Sequence, residues 1–204
     1  TANVQGLAQL SAERVRDEWF KGLQTARKVS KLVRLWLDIG AARIWLPEIV
    51  GKSEGGQGKG QVDKLARDPV LISAFLARDP ASLLTRLKCS TKDIERARAI
   101  GQWRDKYPDP RHLPDVRRWL SQVSEYADDL LALPSAPSPL PKVVRAVRDA
   151  RDPLTVKDLA VNGNDLMTAG VRPGPDVGDV LQRLLAEVLE DPRRNTKAYL
   201  LSRV

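Results

Sequence analysis

The sequence predicts an all-α protein, an elongated array of helices ending in a small helical subdomain. Three observations carry that expectation. Ala, Leu and Val dominate beside abundant Lys, Arg, Asp and Glu, a mixture that favours helices. Aromatic residues make up only 5% of the chain, and no alternating strand pattern is visible. Apolar residues instead recur three and four positions apart in one segment after another.

The first strong helix is expected after Ser11, a favourable N-cap, with Glu13 in the first turn and Val15, Trp19, Phe20 and Leu23 at helical spacing. A second helix carries Val29, Leu32, Val33, Trp36 and Leu37 on one side and Arg27, Lys31 and Arg34 on the other, up to a stop at Gly40. Residues 51–60 are a Gly/Lys-rich tether without packing capacity. Ala-Arg-Asp-Pro then occurs at 66–69, 77–80 and 150–153. The three copies share no period, so they read as one capping device used repeatedly, Asp as N-cap and Pro at the first helical position.

A longer helix is expected at 91–106, with Ile94, Ala97, Ile100 and Trp103 inward, and another from Pro114 with Val116, Trp119, Leu120 and Val123 on its apolar side. Trp19, Trp36, Trp103 and Trp119 are therefore expected in the core rather than free to stack on bases. Pro134, Pro137, Pro139 and Pro141 mark a stiff linker. Beyond it, Lys142, Arg145 and Arg148 recur every third residue while Val143, Val144 and Val147 turn away. The remainder reads turn, short helix, turn, long helix, short helix. The organisation expected is thus helices over 1–50, a tether at 51–60, a helical body over 61–133, a linker at 134–141 and a C-terminal helical segment over 142–204.

The chain has 204 residues, enough to bury a real core. No run approaches about 20 uninterrupted apolar residues, so no membrane span is expected. With no secretory signal visible, a cytoplasmic location is expected. The first residue is Thr1, which points to a piece of something longer or a processed product. Cys89 and His112 are the sole cysteine and histidine, which excludes an internal disulfide and a four-ligand zinc site. The net charge is +8, concentrated upstream: residues 1–120 hold 23 Lys/Arg against 14 Asp/Glu, residues 121–204 hold 11 against 12. That balance suits a polyanionic partner.

Two segments resemble a known family. Ser11-Ala12-Glu13-Arg14-Val15-Arg16-Asp17-Glu18 resembles the S-x-E-R-(I/V)-R-x-E element in the neck of class II tRNA nucleotidyltransferases and bacterial poly(A) polymerases. Asn162-Gly163-Asn164-Asp165-Leu166-Met167, Gly170-Val171-Arg172-Pro173-Gly174-Pro175, Val177-Gly178 and Leu181 are similar to the tail pattern of the same family, and Glu190-Asp191-Pro192 to Asn195-Thr196 to its usual ending. The resemblance implies a neck over 1–50, a body over 61–133 and an RNA-binding tail over 142–204. It also implies tRNA as partner, with CCA addition or tRNA 3′-end processing as the task.

The catalytic head of that family carries a G-G-x-V-R-D turn and a D-x-D pair that clamps Mg²⁺ against triphosphate oxygens. Neither occurs in this sequence. Gly55-Gly56 belongs to the tether, and Asp128-Asp129 are adjacent near a helix end and expected to face solvent. No catalytic or metal-binding residue is therefore assigned, and this chain is expected to be inactive alone. Mg²⁺ with ATP or CTP would belong to the complete enzyme, whose head would be the partner domain on the same polypeptide.

The expected RNA contacts are Arg27, Lys31 and Arg34, then Lys142, Arg145 and Arg148, with Lys157, Arg172, Gly174 and Gly178. The tail is expected as a helical hairpin: Gly170 closes the first helix in the left-handed conformation, and Pro175 opens the second. Gly178 is expected where the helices approach closely. Free amides near Gly174, Asp176 and Val177 would form an anion site at the helix end. An alternative reading is a helical protein-interaction module that never touches RNA.

Overall fold

A computed structural model describes Gly6 and residues 9–50 and 60–204. The tether read at 51–60 lies outside the described residues except for Gly60. Every regular element among the described residues is helical, as expected. None is long and apolar enough to cross a membrane. The chain folds into two compact units: residues 1–106 with 128–136, and residues 107–127 with 137–204. Residues from the segment 61–133 thus contribute to both units.

The first unit is built from α1 (Ala12–Thr25), α2 (Val29–Asp38), α3 (Ala41–Trp45), α4 (Pro69–Leu76), α5 (Pro80–Arg86) and α6 (Thr91–Trp103). The Ser11 hydroxyl caps α1 by accepting from the Arg14 amide, and the helix buries Val15, Trp19 and Leu23. Trp19 is fully buried, and its indole N–H donates to the Ser73 hydroxyl on α4 at 3.0 Å, so burial leaves neither group unpaired. Trp36 packs edge-on against it at 4.9 Å. Gly40, at φ 78°, takes the left-handed turn between α2 and α3.

Two of the three Asp-Pro pairs cap helices as expected. Asp68 accepts from Leu71 N and Asp79 from Ser82 N, with the prolines at the first helical positions of α4 and α5. The third departs from that expectation. Asp152 precedes no helix but pairs with Arg117, because the chain at 153–155 runs on without helical structure to a single 3₁₀ turn, Val156–Asp158.

The second unit contains α7 (Leu113–Val123), α9 (Leu140–Asp149), α10 (Gly163–Thr168), α11 (Pro175–Glu190) and α12 (Lys197–Leu201); residues 128–131 of α8 (Ala127–Leu131) belong to the first unit. Within this unit α11 packs on α7 and α10, and α9 packs on α7. Its C-terminal core gathers Leu159, Val161, Leu166, Leu184, Leu185, Val188, Leu189 and Leu200. The apolar residues of α11 recur at i, i+1, i+4 and i+5, one stripe facing inward.

Trp19 and Trp119 are core residues, whereas Trp36 and Trp103 are only partly buried. Lys106 extends its ammonium over the Trp103 ring at 5.6 Å. Asp129 corrects the expectation of a solvent-facing acidic pair: its carboxylate accepts two hydrogen bonds from Arg96, while Asp128 is exposed.

Candidate nucleic-acid interface

The short helix α10 begins at Asn162, whose side chain accepts from the Asn164 and Asp165 amides while Asp165 accepts from Asn162 N. This reciprocal capping satisfies donors that a six-residue helix otherwise leaves open. Lys197 of α12 donates to the other Asp165 oxygen at 2.6 Å and, with the Asn162 amide, holds that carboxyl below its usual range. The helix ends as expected at Gly170, φ 103°. Gly170 N donates to Met167 O and Val171 N to Leu166 O, the paired bonds of a Schellman cap.

The turn into α11 runs through Arg172, Pro173 and Gly174, with Pro175 at the first helical position. Gly174 sits at φ 119°, ψ −148°, a conformation essentially reserved for glycine. A Cβ there would meet no neighbouring atom, so the requirement is purely backbone. Gly174→Ala is expected to destabilise the C-terminal unit by about 1–3 kcal/mol through that strain; chemical denaturation with unchanged helix content checks it, and a neutral result would refute the strained turn.

Two details of the expected anion site change. A Cβ at Gly178 meets nothing within 4 Å, so Gly178 is not where the helices touch. The close approach is at Gly163, whose Cβ would come within 3.2 Å of Val177 Cγ1. Val177 N is not free either, since it donates to Gly174 O at 3.2 Å. Of the amides expected to be free there, Val177 N is thus already used, and Pro175 contributes none. Arg172 and Asp176 are both exposed beside this turn.

The α9 stripe is placed as its spacing predicted. Val144 and Val147 are buried, and Lys142, Arg145 and Arg148 are exposed on the opposite side. Lys157 is exposed on the 3₁₀ turn 156–158. In the first unit the stripe on α2 is less uniform. Arg34 pairs with Asp38 one turn on, at 3.1 Å, with both side chains largely exposed. Lys31 is exposed on the helix, whereas Arg27, expected on it, is exposed in the turn before its first residue Val29. Arg67, from a distant stretch, donates to the Arg27 carbonyl at 3.2 Å and brings a further guanidinium beside the stripe. Exposed Lys28 and Lys64 flank Asp63, which caps the start of α2 through Ser30 N at 3.0 Å. These added cations escaped the sequence reading because only the fold joins the segments at 27–31 and 63–67.

Two charged positions of the first motif, Glu13 and Arg16, have partners in a distant turn. Glu13 accepts from Lys88 Nζ at 2.9 Å, and Arg16 donates to Lys88 O at 3.0 Å. Together they hold the turn between α5 and α6, where Lys88 itself takes φ 50°. Cys89 follows in that turn, and burial with Asp93 nearby pushes its thiol up to about 11. A thiolate nucleophile is disfavoured there. His112 is engaged with Asp115 at 2.9 Å. Among the described residues no group of His, Cys, Asp and Glu is arranged to hold a metal ion.

No curated protein matches this chain. Residues 143–204 match the family model for tRNA nucleotidyltransferase domain 2, consistent with the C-terminal part of a protein of the CCA-adding and poly(A) polymerase family.

Proposed function

We propose that the chain is a tRNA-binding C-terminal part of a tRNA nucleotidyltransferase, acting in CCA addition or tRNA 3′-end processing in the cytoplasm. Nucleotide transfer, with its Mg²⁺ and ATP or CTP, falls to a catalytic head on the same polypeptide. The observation that carries this reading is the exposed Lys142–Arg145–Arg148 face, which begins one residue before the matched segment 143–204 and runs into it. Such a row tracks phosphates and reads the shape of an A-form helix rather than its sequence. Arg172, Gly174 and Lys157 extend the tail's contribution; Arg27, Lys31 and Arg34 serve in the first unit, with Gly178 an exposed position on α11.

The test is titration of the chain with folded tRNA and with duplex DNA of equal charge at two salt concentrations. Binding is expected to prefer tRNA. Lys142→Ala with Arg145→Ala is expected to flatten the logarithmic salt dependence by roughly 0.7–0.9 per lost phosphate contact. Equal, weak binding to both polymers would refute the reading. A protein-docking helical module would then be the better account; Leu35, an exposed leucine on α2, favours it.

A further inference from the structure

The second unit holds a groove of about 370 Å³ between the stretch 156–163 and Leu181. Val156, Leu159, Val161 and Leu181 give it an apolar lining, and Lys157 alone among its lining residues is charged. Its wall runs from the 3₁₀ turn 156–158 through non-helical backbone to the start of α10, and two side chains from different parts of the sequence fasten it. The Asp158 carboxylate accepts from Leu154 N at 3.1 Å, Thr155 N at 2.8 Å and the Thr155 hydroxyl at 2.8 Å. The Asn195 amide accepts from Ala160 N at 2.8 Å and donates to Asp158 O at 2.8 Å. A wall held from both ends is ordered before any ligand arrives, which lowers the entropic cost of binding. Lys197 is already engaged with Asp165, whereas Lys157 is exposed at the groove.

We propose that this groove is a subsite for one unstacked nucleotide of the bound RNA. The inference rests on the RNA-binding reading above and specifies a contact within it. The face of a base is apolar and suits the accessible lining of Val156, Ala160 and Leu181, while its phosphodiester suits the Lys157 ammonium. The volume falls in the range of about 300–1,000 Å³ usual for small-ligand sites. A single cation matches the single charge of a nucleotide inside a chain better than the multiple charge of a free nucleoside triphosphate. Asn195 is a positioning residue: it touches no RNA and sets the wall that carries Lys157 and Ala160.

The experiment uses the full chain and folded tRNA at two salt concentrations, with unfolding midpoints measured alongside. Ala160 is exposed, so Ala160→Phe fills the groove without entering the core; it is expected to weaken tRNA binding roughly tenfold, the scale of one lost base contact. Lys157→Ala is expected to reduce the salt slope by about 0.7. Asn195→Ala is expected to reproduce the Lys157→Ala loss, and the double variant to bind no more weakly than the worse single, an interaction that mere loss of stability does not produce.

Wild-type affinity in both Ala160→Phe and Lys157→Ala, with Lys142→Ala and Arg145→Ala still weakened, would overturn the subsite and leave the RNA reading standing. If Ala160→Phe fails to fold, the Lys157→Ala and Asn195→Ala pair decides: additive losses in the double variant would overturn the subsite. Failure of the unmodified chain to prefer tRNA would overturn both readings. Tight binding of free mononucleotides, competed by triphosphate rather than by tRNA, would replace the proposed occupant with a small ligand.

Discussion

Arg117→Ala is expected to lower the unfolding free energy of the second unit by about 3–5 kcal/mol, the scale set by breaking a buried ion pair from one side. Arg117 lies on α7 next to Val116, and its side chain is 11% exposed against 12% for its partner Asp152. Its Nε donates to Asp152 at 2.5 Å and its Nη1 to the Leu189 carbonyl at 3.4 Å. One guanidinium thus joins α7, the segment after α9 and the end of α11. Removing it leaves a carboxylate with little access to water and a carbonyl without a donor.

The pair itself need not be favourable relative to apolar residues, since desolvation consumes most of the Coulombic gain. The double replacement Arg117→Met with Asp152→Leu is accordingly expected to recover most of the loss. Urea unfolding of the singles and the double measures both. A single-variant loss below about 1 kcal/mol, as for a surface pair, would show that water reaches the site.

The second large effect is expected from Arg96→Ala in the first unit. The Arg96 guanidinium bridges Asp68 at 2.7 Å and Asp129 at 2.6 Å, tying α6 to the start of α4 and to α8. The expected cost is about 2 kcal/mol, less than at Arg117 because a quarter of the Arg96 side chain stays exposed. Its pH dependence is diagnostic. Burial pushes the Asp68 carboxyl up, but the hydrogen bond from Arg96 and the Leu71 amide outweigh it and hold the group below its usual value. A depressed carboxyl pKa contributes stability above the unfolded value near pH 4 and loses it as pH falls through the lower folded value. The Arg96→Ala variant loses the main cause of the depression while burial remains. The difference between wild type and variant should therefore be widest at neutral pH and close below about pH 4. A difference independent of pH would assign the effect to packing.

Local chemistry was legible in the sequence because it acts over a few residues. Ser11, Asp68 and Asp79 cap helices because their side chains reach amides two or three positions on, whatever the rest of the chain does. Gly170 takes positive φ because the turn needs it, and Val144 and Val147 face inward because helical spacing puts them there. The same periodicity placed Lys142, Arg145 and Arg148 outward.

Residues with long-range partners were misread. Asp152 looked like a third cap and Asp129 like a solvated acid, yet each is claimed by an arginine more than thirty residues away. Gly178 carried the tail pattern, but the close approach of α10 and α11 is at Gly163. Composition and periodicity thus determined the all-helical class, the capped ends and the outward basic face of α9. The tertiary structure alone decided which polar groups lose their water, which glycine admits a neighbouring helix, and that Asn195 reaches back to Asp158 and Ala160. Those outcomes depend on desolvation and contact between distant segments, and a one-dimensional pattern holds no distance between them.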